Sequence, residues 1–218
     1  MASSATDNRA GGRRLRLLVC ATAAALAVSC AAPKAKPGPL LLHPVPPTLE
    51  GYALVQGALV FTRPEFSVSA RPWDYRLVVK ELREAGAASP FGDTEAEAGR
   101  FLFLRVRFEN HSNRALVFNP LRASLLRESD TPVVPLENSD LLAFADDKIA
   151  DAEARSRTFQ RVCFDGTATV RGGGVLERLL VFPTPKEAPK QLVLELDDLW
   201  LDSKSFSPLF IFETFPGK

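Results

Sequence analysis

The chain has 218 residues and nearly balanced charge, 27 Lys and Arg against 26 Asp and Glu, for a net of +1. That balance supplies no basic face of the kind nucleic acid requires, so no nucleic-acid partner is expected. Its three cysteines, Cys20, Cys30 and Cys163, and its two histidines, His43 and His111, cannot build a Cys/His zinc cluster, and no metal or cofactor is expected.

The first thirty residues carry an address. Arg9, Arg13, Arg14 and Arg16 make a basic head, and Leu17 to Val28 is apolar apart from Thr22. A short apolar run behind a basic head is the pattern of a secretory signal. It is too short to span a bilayer, which takes ~20 apolar residues. A twin-arginine signal is disfavoured because Arg16 stands where an apolar residue is wanted after Arg13-Arg14. The run ends in Leu26-Ala27-Val28-Ser29-Cys30.

That ending resembles the lipobox of bacterial lipoprotein precursors. The resemblance implies cleavage of residues 1–29, a diacylglycerol on the Cys30 thiol and an acylated amine above it, with chains such as palmitate. Ala27 stands where leucine is commoner. Two or three chains hold firmly where one is marginal, at ~0.8 kcal/mol per buried methylene. The expected partner is thus a membrane, reached through lipid on Cys30, in a bacterial cell envelope. Ala31, rather than aspartate, implies the outer membrane facing the periplasm.

Loss of residues 1–29 removes four arginines and Asp7, leaving a small acidic excess. Cys20 departs with the leader and Cys30 takes lipid, so Cys163 has no partner for an internal disulfide. Between Val162 and Phe164 it reads as a small buried hydrophobe. Residues 30–49 contain Pro33, Pro37, Pro39, Pro44, Pro46 and Pro47 and are expected to form an unfolded tether. At ~3.1 Å per residue its proline-rich part, Ala31 to Pro47, would reach about 50 Å at most.

Residues 50–218 are expected to form the folded domain. Tyr52 to Thr62 is apolar and interrupted by Gly57, Phe66, Val68 and Ala70 alternate with polar neighbours, and Tyr75 to Leu82 reads as a further strand. Residues 85–99 read as a loop. Phe101 to Glu109 is the clearest strand: Leu102, Leu104, Val106 and Phe108 share one face, Arg105, Arg107 and Glu109 the other. Asn110 to Asn113 turns the chain, and Leu116 to Phe118 and Leu121 to Leu126 follow on either side of Asn119-Pro120. A single helix is expected near 139–157, capped by Ser139, with Leu141, Ala145, Ile149 and Ala152 on its dry stripe and Arg155 and Arg157 near its carboxyl end. Thr167 to Val170, Leu176 to Phe182, Gln191 to Leu201 and the segment holding Phe206, Phe210 and Phe212 close the pattern, with a bulge predicted near Asp197-Asp198.

Roughly eight or nine short strands punctuated by turns predict a mainly β, antiparallel domain, a β-sandwich with one inserted helix. Phe101 to Ser112, Val117-Phe118-Asn119-Pro120 and Val175 to Pro183 resemble the immunoglobulin-like domains of bacterial envelope lipoproteins. The resemblance implies an adhesive or scaffolding role without chemistry.

Each candidate for chemistry has a plainer structural reading. Gly172-Gly173-Gly174 lacks the Lys and Ser/Thr of a nucleotide loop and reads as a hairpin turn. Asp197, Asp198 and Asp202 do not match the spacing of a calcium loop. Asp146, Asp147 and Asp151 read as the wet face of a helix, and Ser112 is too close to His111 in sequence to be aligned with it as a nucleophile. No catalytic residue is assigned. The candidate interaction face is Phe101, Phe103, Arg105 and Arg107, in phase on one strand and of the types that dominate interfaces. The expected function is a non-catalytic binding or scaffolding module for an envelope protein or polymer. A small-ligand carrier and a carboxylate-dependent envelope hydrolase are the alternatives.

Overall fold

The computed structural model describes residues 40–92, 94, 97, 99–127, 132–144 and 151–216. They form a mainly β domain of three antiparallel sheets with helices on one side. The five-stranded sheet contains β2 (Tyr52–Val55), β3 (Ala58–Arg63), β4 (Phe66–Trp73), β5 (Phe101–Asn110) and β9 (Val175–Pro183), in that spatial order. Gln56 and Gly57 are both left-handed, at φ 49° and 78°, which gives the two-residue turn that lets β2 fold back on β3.

A second sheet has the order β1 (Leu40–Val45), β13 (Leu209–Pro216), β10 (Gln191–Leu196), β7 (Ala123–Arg127). The third has β12 (Lys204–Phe206), β11 (Leu199–Leu201), β6 (Leu116–Phe118) and β8 (Ala168–Val170). One core joins all three. Leu59, Val68, Leu104 and Phe108 of the five-stranded sheet cluster with Leu194 and Phe212 of the second and Leu116 and Phe118 of the third, all 0–1 % exposed. The alternation read in β4 and β5 supplies this face.

The other face of β5 and β9 is dry at one end only. There Phe101, Phe103, Leu179 and Val181 pack against α1 (Tyr75–Glu84), α2 (Asn138–Phe144) and α3 (Ala152–Val162) through Val78, Leu82, Leu141 and Phe159.

Four local expectations are corrected. Residues 75–84 are helical, not extended: Asp74 Oδ1 accepts from Arg76 N–H at 2.7 Å, and Val78 and Leu82 bury one stripe. A β-branched pair, Val78-Val79, made the segment look like a strand. The predicted tether does not run to residue 49, because Leu40 to Val45 pair with Ile211 to Pro216. Pro44 is tolerated because β1 is an edge strand. The single helix over 139–157 is two: Asp151, at φ 78°, is left-handed and cannot continue a right-handed helix, so α3 starts after it. Arg155 and Arg157 accordingly lie within α3 and Arg161 occupies its last turn, while Ala145, Asp146, Asp147 and Ile149 fall outside the described residues. The phase change at Asp197-Asp198 is not a bulge. Asp198 turns at φ 55° and carries the chain from the second sheet to the third, so Leu196, Leu199 and Leu201 are all buried.

Candidate functional site

The helices cover only part of the five-stranded sheet's outer face. The uncovered part is built by alternate residues of β4 and β5. Ser67, Ser69, Arg71 and Trp73 of β4 stand opposite Glu109, Arg107, Arg105 and Phe103 of β5. Beside them, Val60 of β3 pairs with Ser69, so small side chains floor an open trough of about 410 Å³ bordered by Arg71, Arg105 and Arg107.

The rim is charged and ordered. Arg105 Nη2 lies 2.6 Å from Glu81 Oε2 on α1, and its Nη1 3.5 Å from Glu177 on β9. Arg107 Nη2 lies 2.7 Å from Glu109 and its Nη1 3.4 Å from the same Glu177. The hydrogen bond that Arg107 donates to Glu109 is the main cause of an upward shift in its guanidinium pKa, opposed by desolvation. Arg71 differs. Its guanidinium stacks on Trp73 at 4.2 Å, as Arg105 does at 3.5 Å, and it makes no ion pair among the described residues. A planar guanidinium in that state is suited to a carboxylate or phosphate.

The predicted interaction face is thereby divided. Arg105 and Arg107 stand on the open surface, but Phe101 and Phe103 are 8 % and 3 % exposed and pack with Phe91, the Phe91–Phe103 centroids 4.8 Å apart. They are core residues beneath the helices, not surface anchors. Sequence reasoning missed Arg71 and Trp73, although Ser67, Ser69, Arg71 and Trp73 are in phase on one strand face.

The other candidates are tied up structurally. Asp198 accepts two hydrogen bonds from Arg122, Asp197 one from Ser207, and Asp202 pairs with Arg114 at 3.0 Å. No group of three or more His, Cys, Asp or Glu able to hold a metal occurs among the described residues. Asn110 is 1 % exposed. Its Nδ2 donates to the carbonyls of Arg114 and Val170, and its Oδ1 accepts from the N–H and hydroxyl of Ser112. That makes Asn110 to Ser112 a turn. Gly172 belongs to the turn between β8 and β9, which is not the hairpin expected because the two strands lie in different sheets, and a Cβ there would meet the Ser112 carbonyl at 2.7 Å. Cys163 is buried, and burial pushes its thiol well above the ordinary value of 9.0. His111 and His43 are exposed, the latter against the Phe215 ring at 4.8 Å. Cys30 lies outside the described residues, among which no helix is long and apolar enough to cross a membrane.

No family model matches the sequence, and no curated protein does. Among solved structures, the yjhA protein from Bacillus subtilis aligns with 69 % of this chain and 93 % of its own, at 11 % identity and a TM-score of 0.38. A functionally unknown protein from Listeria monocytogenes EGD-e aligns over 83 % of this chain and 89 % of its own, at 13 % identity and a TM-score of 0.34.

Proposed function

We propose that the protein is an envelope lipoprotein, cut before Cys30 and held by lipid there, whose domain is an immunoglobulin-like β-sandwich acting as a non-catalytic binding or scaffolding module. The observation that supports the binding role is the open guanidinium of Arg71 stacked on Trp73 at the rim of a trough. Arg105 and Arg107 beside it are held by carboxylates, so Arg71 is the group with charge to offer. The partner in this reading is an envelope protein or polymer that presents a carboxylate or phosphate. The five-stranded sheet facing the other two around one core supports the sandwich assignment.

The test is a photo-crosslinking side chain at Ser69 in cells, with wild type and Arg71→Glu side by side. A specific adduct is expected, weakened by added salt because the contact is electrostatic, and lost in Arg71→Glu. Absence of any adduct at low and high salt refutes the docking role. Fractionation of Cys30→Ala tests the anchor, since the variant should leave the mature lipid-modified pool.

A further inference from the structure

We propose that the end of the domain where β1 begins is its membrane-facing end, and that the groove between β1, the β4–α1 junction and the start of β5 seats on the lipid surface beside the anchor. This rests on the reading of Cys30 as lipid-modified.

The chain length argues for it first. Leu40 lines the groove itself, an opening of about 340 Å³, and follows Cys30 by ten residues. Fully extended chain covers at most ~3.6 Å per residue, so Leu40 stays within ~36 Å of the lipid-bearing sulfur however the intervening residues are arranged. Leu40 is the first described residue along the chain after Cys30, so it carries the shortest such limit, shared by Pro216 paired with it.

The composition of the groove argues for it independently. Its floor includes Phe101 and Leu102, and its mouth carries Trp73 and Tyr75 with Arg76. Trp and Tyr, apolar in body and polar at one end, are the residues that settle where hydrocarbon meets headgroup. The Trp73 indole N–H is buried and has no hydrogen-bond acceptor among the described residues. A buried donor left unpaired is costly, so the ring gains by any tilt that opens this N–H to an acceptor such as a lipid ester or phosphate oxygen. Asp74 at the same opening caps α1, its Oδ1 accepting from the Arg76 N–H at 2.7 Å. Leu41, which lines the groove, faces Phe215 across β1 and β13, and the two are 45 % and 44 % exposed. Two large apolar side chains set side by side in water at the tethered end are explained by burial in lipid.

The chain's two tryptophans, Trp73 and Trp200, make the test direct. Full-length protein, processed in cells and purified with its lipid, is reconstituted into phosphatidylethanolamine–phosphatidylglycerol vesicles carrying brominated acyl chains. In Trp200→Phe the remaining Trp73 should lose most of its emission to bromine. In Trp73→Phe the exposed Trp200 should keep its own. The double variant Leu41→Glu with Phe215→Glu, whose side chains are on the surface, should restore Trp73 emission while the protein still floats with vesicles. Flotation with Trp73 no more quenched than Trp200 overturns the seating and leaves the anchor standing, whether the groove then proves open to aqueous iodide or filled by the protein's own chain. Failure to float, with an unmodified Cys30, overturns both.

Discussion

Arg71 lies directly opposite Arg105 across β4 and β5, and both guanidiniums stack on Trp73. Like charges facing each other across a strand pair destabilise it unless neutralised. Arg105 is neutralised by Glu81 and Glu177, whereas Arg71 has no carboxylate partner among the described residues. Arg71→Ala is therefore expected to leave stability within about 0.5 kcal/mol of wild type, or to raise it slightly, while crosslinking through the trough is lost. Urea unfolding beside the crosslinking assay separates the two effects.

Phe103→Ala should behave oppositely. The ring is 3 % exposed between the sheet and the helices, so truncation opens a cavity and should cost about 3–5 kcal/mol. Chemical denaturation measures that loss. A near-neutral result would mean that the helices do not hold this face closed.

Asn110→Ala removes a side chain that satisfies four polar groups at the meeting of β5, the following turn and β8. The Val170 and Arg114 carbonyls then lose a donor in a buried place. A loss of roughly 2–3 kcal/mol is expected by denaturant unfolding. Asn110→Asp should be no better, since a carboxylate cannot donate to those carbonyls.

Cys163 links stability to pH. Burial, reinforced by the charge of Asp165, raises its folded pKa, whereas the unfolded thiol ionises near its ordinary 9.0. Below that pH both states keep the proton and the group contributes no slope. Above it the unfolded state releases a proton the folded state retains, so stability should fall by about 1.4 kcal/mol per pH unit until the folded pKa is reached. Cys163→Ala should abolish this component of the slope. The native thiol should likewise resist aromatic disulfide reagents until the protein is unfolded.

The strands that were legible in the sequence are those whose alternation is decided by a single dry face. Phe101 to Asn110 is the best case, with Leu102, Leu104, Val106 and Phe108 all pointing to the core. Residues 75–84 were misread because strand preference outweighed a weak cap signal at Asp74, and packing of Val78 and Leu82 against the sheet decides the matter. β1 was hidden by its prolines, which an edge strand accepts where a central one does not. Of the candidate face, Arg105 and Arg107 were recognisable, but Phe101 and Phe103 were assigned to the wrong environment. Which end of a sheet face a helix covers is set by long-range packing, and no local pattern in β5 encodes it.

Pairing of β1 with β13 bears on how the protein is made. Leu40 finds its hydrogen-bonding neighbour at Pro216, so the edge of the second sheet cannot form until that distant carboxyl segment has been delivered. Contacts this far apart in sequence are slow to close. An emerging chain thus holds β1, the first strand among the described residues, unsatisfied throughout synthesis. Chaperoning of that strand, rather than of the interior, is where assembly of this protein is most exposed to error.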